Sequence, residues 1–158
     1  GFFDLDGDGR AEAVSMPESG AGETLVPRAV GTGITWTARP LRTPRGEGGP
    51  LNLTGMRNDV RMVDVDGDGL VDIVRTTPER IETYFALGRY PGGDGRFGSA
   101  SWTGPATANL SDEPVRHCLP GGDASVQMSD AGVKVADLNG DGLMDLVTML
   151  PGGTSVLY

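Results

Sequence analysis

The sequence predicts an all-β protein, and three observations carry that prediction. Glycine, at 26 residues, and proline, at 11, are too frequent and too scattered for a helical chain. Apolar residues gather in short β-branched runs such as Val71, Ile73 and Val74. No segment keeps a 3.6-residue apolar period long enough for a helix, so almost none is expected. With 158 residues, 37% of them hydrophobic, the chain can build one core and is too apolar for disorder.

A repeat organises the chain. The stretch Asp4-Leu-Asp-Gly-Asp-Gly-Arg-Ala-Glu12 recurs as Asp64-Val-Asp-Gly-Asp-Gly-Leu-Val-Asp72 and as Asp137-Leu-Asn-Gly-Asp-Gly-Leu-Met-Asp145. Before the later two copies, Val60–Val63 and Val133–Ala136 alternate with the period of a strand. After them come compact apolar runs, Leu70–Val74 and Leu143–Val147, and more weakly Arg10–Val14 after the first. Each copy therefore predicts strand, acidic loop, strand. Further strands are expected at Gly33–Ala38, Glu82–Leu87 and Ser99–Thr103. Pro40, Pro44 and Pro50 with Gly46, Gly48 and Gly49 predict a long turn-rich connection, and Gly92–Gly95 a turn before Phe97. About four strands in each repeat matches a blade of a β-propeller. The expected architecture is a partial β-propeller of two to three four-stranded blades, with repeats at 1–58, 59–131 and an incomplete 132–158. Propellers close with about four to eight blades, so the remaining blades are expected on the same parent chain or from another copy. Gly1 in place of Met, directly before Phe2-Phe3, likewise predicts a piece of a longer protein.

The loops predict Ca²⁺ binding. Ca²⁺ takes about six to eight oxygen ligands, and a chain wrapping it turns loop positions 1, 3 and 5 inward. Those positions are Asp4, Asp6 and Asp8; Asp64, Asp66 and Asp68; Asp137, Asn139 and Asp141. Position 7 would give its backbone carbonyl (Arg10, Leu70, Leu143), which leaves its side chain free to vary. Position 9 returns a carboxylate from the next strand: Glu12, Asp72 and Asp145. Glycine at position 6 allows the left-handed turn such wrapping needs, and glycine at position 4 relieves crowding. Isolated Asp-Gly turns are common and solvated. Three copies with one spacing and the same flanks favour a cation, since unscreened carboxylates so close repel strongly. Mg²⁺ suits less well, preferring a small, water-rich octahedral shell. An EF-hand is excluded because Ser15, Arg75 and Thr148 stand where its bidentate glutamate belongs, and the flanks are strands.

These residues resemble the FG-GAP/VCBS repeats of integrin-α-like β-propellers. The resemblance covers all three loops, with Glu12 for Asp and Asn139 as departures, and the upstream Phe-Gly element appears at Phe97-Gly98. It implies three Ca²⁺ sites in a non-catalytic binding module. A narrower resemblance, through Ser129–Val147, Asp72–Arg75, Glu82–Phe85 and Gly92–Gly98, is to the propeller segment of bacterial Rhs and Tc-toxin B-component proteins. It implies a docking scaffold whose enzymatic domain lies elsewhere on the parent chain.

Charge and chemistry exclude other classes. A net charge of −9 repels nucleic acid and anionic membranes, and half of the 22 acidic residues sit in the three loops. These 158 residues show no apolar run long enough to span a bilayer and no signal-peptide pattern, an absence that says little about the parent chain. One cysteine, Cys118, permits no internal disulfide, so metal sites are the expected staples of an extracellular or cell-surface protein. His117 lacks a second histidine for zinc and points away from Cys118 in an extended segment. No nucleophile elbow or phosphate loop occurs, so no enzyme is predicted. Cys118 is expected as a small buried hydrophobe, and Trp36 and Trp102 as core residues. The expected partner is a protein or glycan docked on the propeller rim.

Overall fold

The computed structural model describes residues 1–15, 22–41, 43–46, 49–51, 53, 59–93, 95–102, 108–118, 127–150 and 153–157. Among them there is no helix, and every strand pairing is antiparallel. Three open sheets follow one another along the chain. The first contains β1 (Phe2–Phe3), β2 (Glu12–Ser15), β3 (Glu23–Val30) and β4 (Gly33–Pro40), paired in that order. A short pair follows, β5 (Arg45–Gly46) with β6 (Gly49–Pro50).

The second sheet is built on β7 (Val60–Val63), β8 (Asp72–Thr76) and β9 (Arg80–Ala86). Its outer edge is divided. The end of β9 pairs with β10 (Phe97–Trp102), and its beginning pairs with β12 (Val115–Cys118). Between them β10 turns away to pair with β11 (Ala108–Ser111). Gly98 permits this departure, because a Cβ there would run into the Ser111 carbonyl. The sheet thus reaches six strands, more than the four expected of a unit. The third sheet comprises β13 (Val133–Ala136), β14 (Asp145–Leu150) and β15 (Gly153–Leu157).

Each acidic loop joins the first two strands of its sheet, and the register is the same each time. Phe3 faces Glu12, Val63 faces Asp72, and Ala136 faces Asp145. The position-9 carboxylate is therefore always the first paired residue of the returning strand.

Alternation along β8 ties the sheets together. Ile73 lies in a cluster with Leu5 and Val14 of the first sheet and Val60, Tyr84 and Phe97 of the second. Its neighbour Val74 points the other way and packs with Val133, Val135 and Leu146 of the third sheet. The middle sheet is thus apolar on both faces. The proline- and glycine-rich connection after β4 is more than a loop, since Leu41, Leu51 and Leu53 from it are buried in the first cluster.

Two carboxylates are buried within the second sheet, Asp72 on β8 and Glu82 on β9. Glu82 is fully buried and accepts from Arg80 Nε at 3.0 Å, Arg75 Nη1 at 3.4 Å and Arg116 Nε at 3.4 Å. Arg75 and Arg116 flank it on the neighbouring strands, so the ion cluster crosses three strands. Pairing of this kind is what makes a buried carboxylate tolerable.

Three expectations are corrected. Trp36 is 47% exposed because β4 is the edge strand of its sheet and exposed along its length, and Trp102 is 68% exposed where β10 has left β9. Cys118 is an exposed free thiol because all of β12 faces outward at the sheet edge.

Ile73, with no exposed surface, is the packing centre of the middle sheet. Ile73→Ala is expected to cost about 2–5 kcal/mol, the range for emptying such a site. The change in free energy from urea denaturation checks this, and a loss below ~1 kcal/mol would contradict the packing described.

Candidate metal centre

The three loops fold through one set of hydrogen bonds. The position-1 aspartate accepts two backbone N–H groups with its two oxygens. Asp4 takes Gly7 and Gly9 at 2.8 Å each. Asp64 takes Gly67 at 2.8 Å and Gly69 at 3.0 Å, and Asp137 takes Gly140 at 2.7 Å and Gly142 at 3.0 Å. Position 5 accepts the N–H of position 7 at 2.8 Å in every copy, through Asp8, Asp68 and Asp141. Position 3 accepts more loosely from position 5, at 3.2 Å for Asp6, 3.4 Å for Asp66 and 2.9 Å for Asn139. Position 9 reaches back to the N–H of position 2, Glu12 to Leu5 at 2.7 Å, Asp72 to Val65 at 3.0 Å and Asp145 to Leu138 at 2.9 Å.

The glycines make this possible. Those at position 6 have φ of 81°, 85° and 88°, and those at position 4 have 76°, 74° and 78°. Both are left-handed, where a side chain is strained, so position 4 is needed for its backbone as well as for space.

The carboxylates converge unequally. In the first loop Asp4, Asp6, Asp8 and Glu12 each offer an oxygen within 4.8 Å of the others. Glu12 is 2% exposed, and its Oε1 has no hydrogen-bond partner while Oε2 is held by Leu5. A buried, unpartnered carboxylate oxygen beside three other hard oxygen donors is what a divalent cation would satisfy. The residues present therefore fit Ca²⁺.

In the second loop Asp64, Asp66 and Asp72 converge. Asp68 is not among them, and the Arg89 guanidinium bridges Asp66 at 2.8 Å and Asp68 at 2.8 Å. Both oxygens of Asp72 are held by N–H groups, Val65 at 3.0 Å and Ala86 at 2.7 Å. Arg89 was not marked by sequence spacing, because it arrives from the turn after β9, 23 residues beyond Asp66. In the third loop Asn139 Nδ2 donates to Asp141 at 2.9 Å, and the described carboxylates there are not drawn together as in the first two.

Position 7 corrects one expectation. Its side chain is not free to vary without consequence: Leu70 is buried and Leu143 half-buried, whereas Arg10 is exposed.

Burial also moves the position-9 acids. Burial pushes Asp72 up to about 6; the Ala86 and Val65 N–H groups oppose this, and Asp66 and Asp68 add to it. Glu12 is raised first by burial and then by Asp6, Asp4 and Asp8, against the Leu5 N–H.

Comparisons with protein-family models, curated proteins and solved structures find no match. Fold and loops together define the class as an all-β protein of antiparallel sheets with a repeated acidic hairpin loop, and any narrower assignment rests on the residues themselves.

The sign of the Asp72 shift makes a prediction for the cation-free protein. A carboxyl raised from 3.8 to about 6 on folding stabilises the fold while protonated, and that stability is lost as pH rises through about 6. In chelator, wild type should therefore gain about 2 kcal/mol between pH 7.5 and pH 4.5 relative to Asp72→Asn. Urea denaturation of the pair at both pH values checks this, and parallel behaviour of the two proteins would refute it.

Proposed function

We propose that the chain is a calcium-stabilised, non-catalytic β-propeller segment, an interaction module whose successive sheets act as blades. The observation that carries this reading is the first loop, where four carboxylates converge and a buried Glu12 oxygen lacks a partner. The same backbone scaffold in the other two loops supports extending it to three sites. In this reading the side chains at positions 1, 3, 5 and 9 and the carbonyls of Arg10, Leu70 and Leu143 hold the ion. The cation offsets carboxylate repulsion at each hairpin apex, and so fixes the rim on which a protein or glycan partner docks. Metal ties in place of disulfides suit an extracellular setting.

Thermal unfolding with Ca²⁺ and then with a chelator tests the proposal. At ~100-fold over Kd each independent site adds about 2.7 kcal/mol, so Tm should rise by several degrees, and Mg²⁺ should not reproduce it. No shift in a cooperatively folded sample would reduce the loops to acidic turns. Glu12→Gln should weaken the tightest binding event by roughly tenfold, as ligand charge sets Ca²⁺ affinity.

Arg89 predicts a difference among the loops. Its guanidinium already neutralises Asp66 and Asp68, so a cation in the second loop must displace it. Arg89→Ala should tighten a weaker binding event in calorimetric titration by several-fold and leave the Glu12-dependent event unchanged. Identical isotherms for wild type and variant would rule out that competition.

A further inference from the structure

Successive loops interlock. A Cβ placed on Gly7 would stand 2.9 Å from Leu70 Cδ2, so the leucine of the second loop fills the space beside the glycine of the first. One sheet further on, a Cβ on Gly67 would stand 2.9 Å from Leu143 Cδ2. Both times, position 4 of one loop receives position 7 of the next. The contact needs a residue without a side chain on one side and a branched apolar residue on the other.

The third loop has the receiving half of this contact, and no described residue is seated in it. Among the described residues, nothing lies within 4 Å of where a Gly140 Cβ would be. Position 2 shows the same progression. Leu5 is buried under the second sheet, Val65 is half-buried beside Met144 and Leu146 of the third, and Leu138 is 55% exposed. On β14, Met149 is 56% exposed, whereas Thr76, its counterpart on β8, is buried and accepts the Met128 N–H at 2.8 Å.

We infer that the surface formed by Gly140, Leu138 and Met149 seats one further repeat of this same construction, which enters with a leucine at position 7 of its own acidic loop. The occupant is fixed by continuity, since the chain already makes this interface twice. A second copy of the chain is the wrong shape and charge for it. Its leading loop carries the exposed Arg10 at position 7, and a guanidinium set against apolar Leu138 and Met149 would lose its hydration without gaining a partner. Phe2, 69% exposed, stands on the leading strand at the repeat position of Met62, which packs against the first core cluster. Arg10 is thus the charged residue at the position where Leu70 and Leu143 make the contact. This inference uses packing alone and does not depend on cation binding.

Replacing that charged residue is the test. Arg10→Leu gives the leading loop the residue the surface accepts, so copies should join head to tail, a contact that does not close on itself. In sedimentation velocity the wild type should stay monomeric, while Arg10→Leu should show a weight-average mass that rises roughly twofold or more with concentration. Leu138→Glu, which leaves the loop glycines intact, should abolish that association when combined with Arg10→Leu. Three results would overturn the inference: Arg10→Leu remaining monomeric, its association surviving Leu138→Glu, or wild type itself associating through a Leu138-dependent contact, which would make a second copy the occupant.

Discussion

The constraint on which the rest depends is how three or four acidic side chains can share the apex of a tight hairpin. Each loop meets it by turning backbone N–H groups toward the carboxylates. One aspartate spans two glycine amides, a second holds the amide two residues on, and the buried acid of the returning strand clasps the amide at the loop's entry. Those bonds are charge-assisted and local, so the loop shape is specified within nine residues. The left-handed glycines are what let the amides face inward. Because the last acid is also the first paired residue of the next strand, loop geometry sets strand register.

From the hairpin apex the sheets are fixed outward. With register set, alternation places Ile73 toward the first sheet and Val74 toward the third, and the middle sheet becomes apolar on both faces. The loops themselves take part in this packing, since the leucine after one loop's second glycine fills the space beside the preceding loop's first glycine. Polar loop and apolar core are thereby coupled. A cation that orders one loop would order the seat of the next sheet as well.

The three copies are alike in backbone and different in electrostatics. The first presents a converged, incompletely satisfied carboxylate set, the second is partly neutralised by Arg89, and the third substitutes an amide that bonds within the loop. A common scaffold thus carries different residual charge without a change of fold, and under the proposed calcium binding it would grade affinity.

The sequence by itself determined the strand class, the three loops with their shared spacing, and the glycines at positions 4 and 6. These are local properties: a period of two, a turn that needs positive φ, and acids held by amides a few residues away. The strand predicted at Gly33–Ala38 is contained in β4, and that predicted at Glu82–Leu87 largely coincides with β9. Only the tertiary structure decided what lay across longer separations. Arg89 reaches the second loop from 23 residues away, and three arginines gather on buried Glu82 from adjoining strands. Trp36, Trp102 and Cys118 read as core residues by type, yet sheet edges leave them exposed. Position 7 read as indifferent because its backbone faces the loop, while its side chain is committed to a neighbouring sheet. Spacing along one strand records which face a residue takes, and it holds no record of what another strand brings to that face.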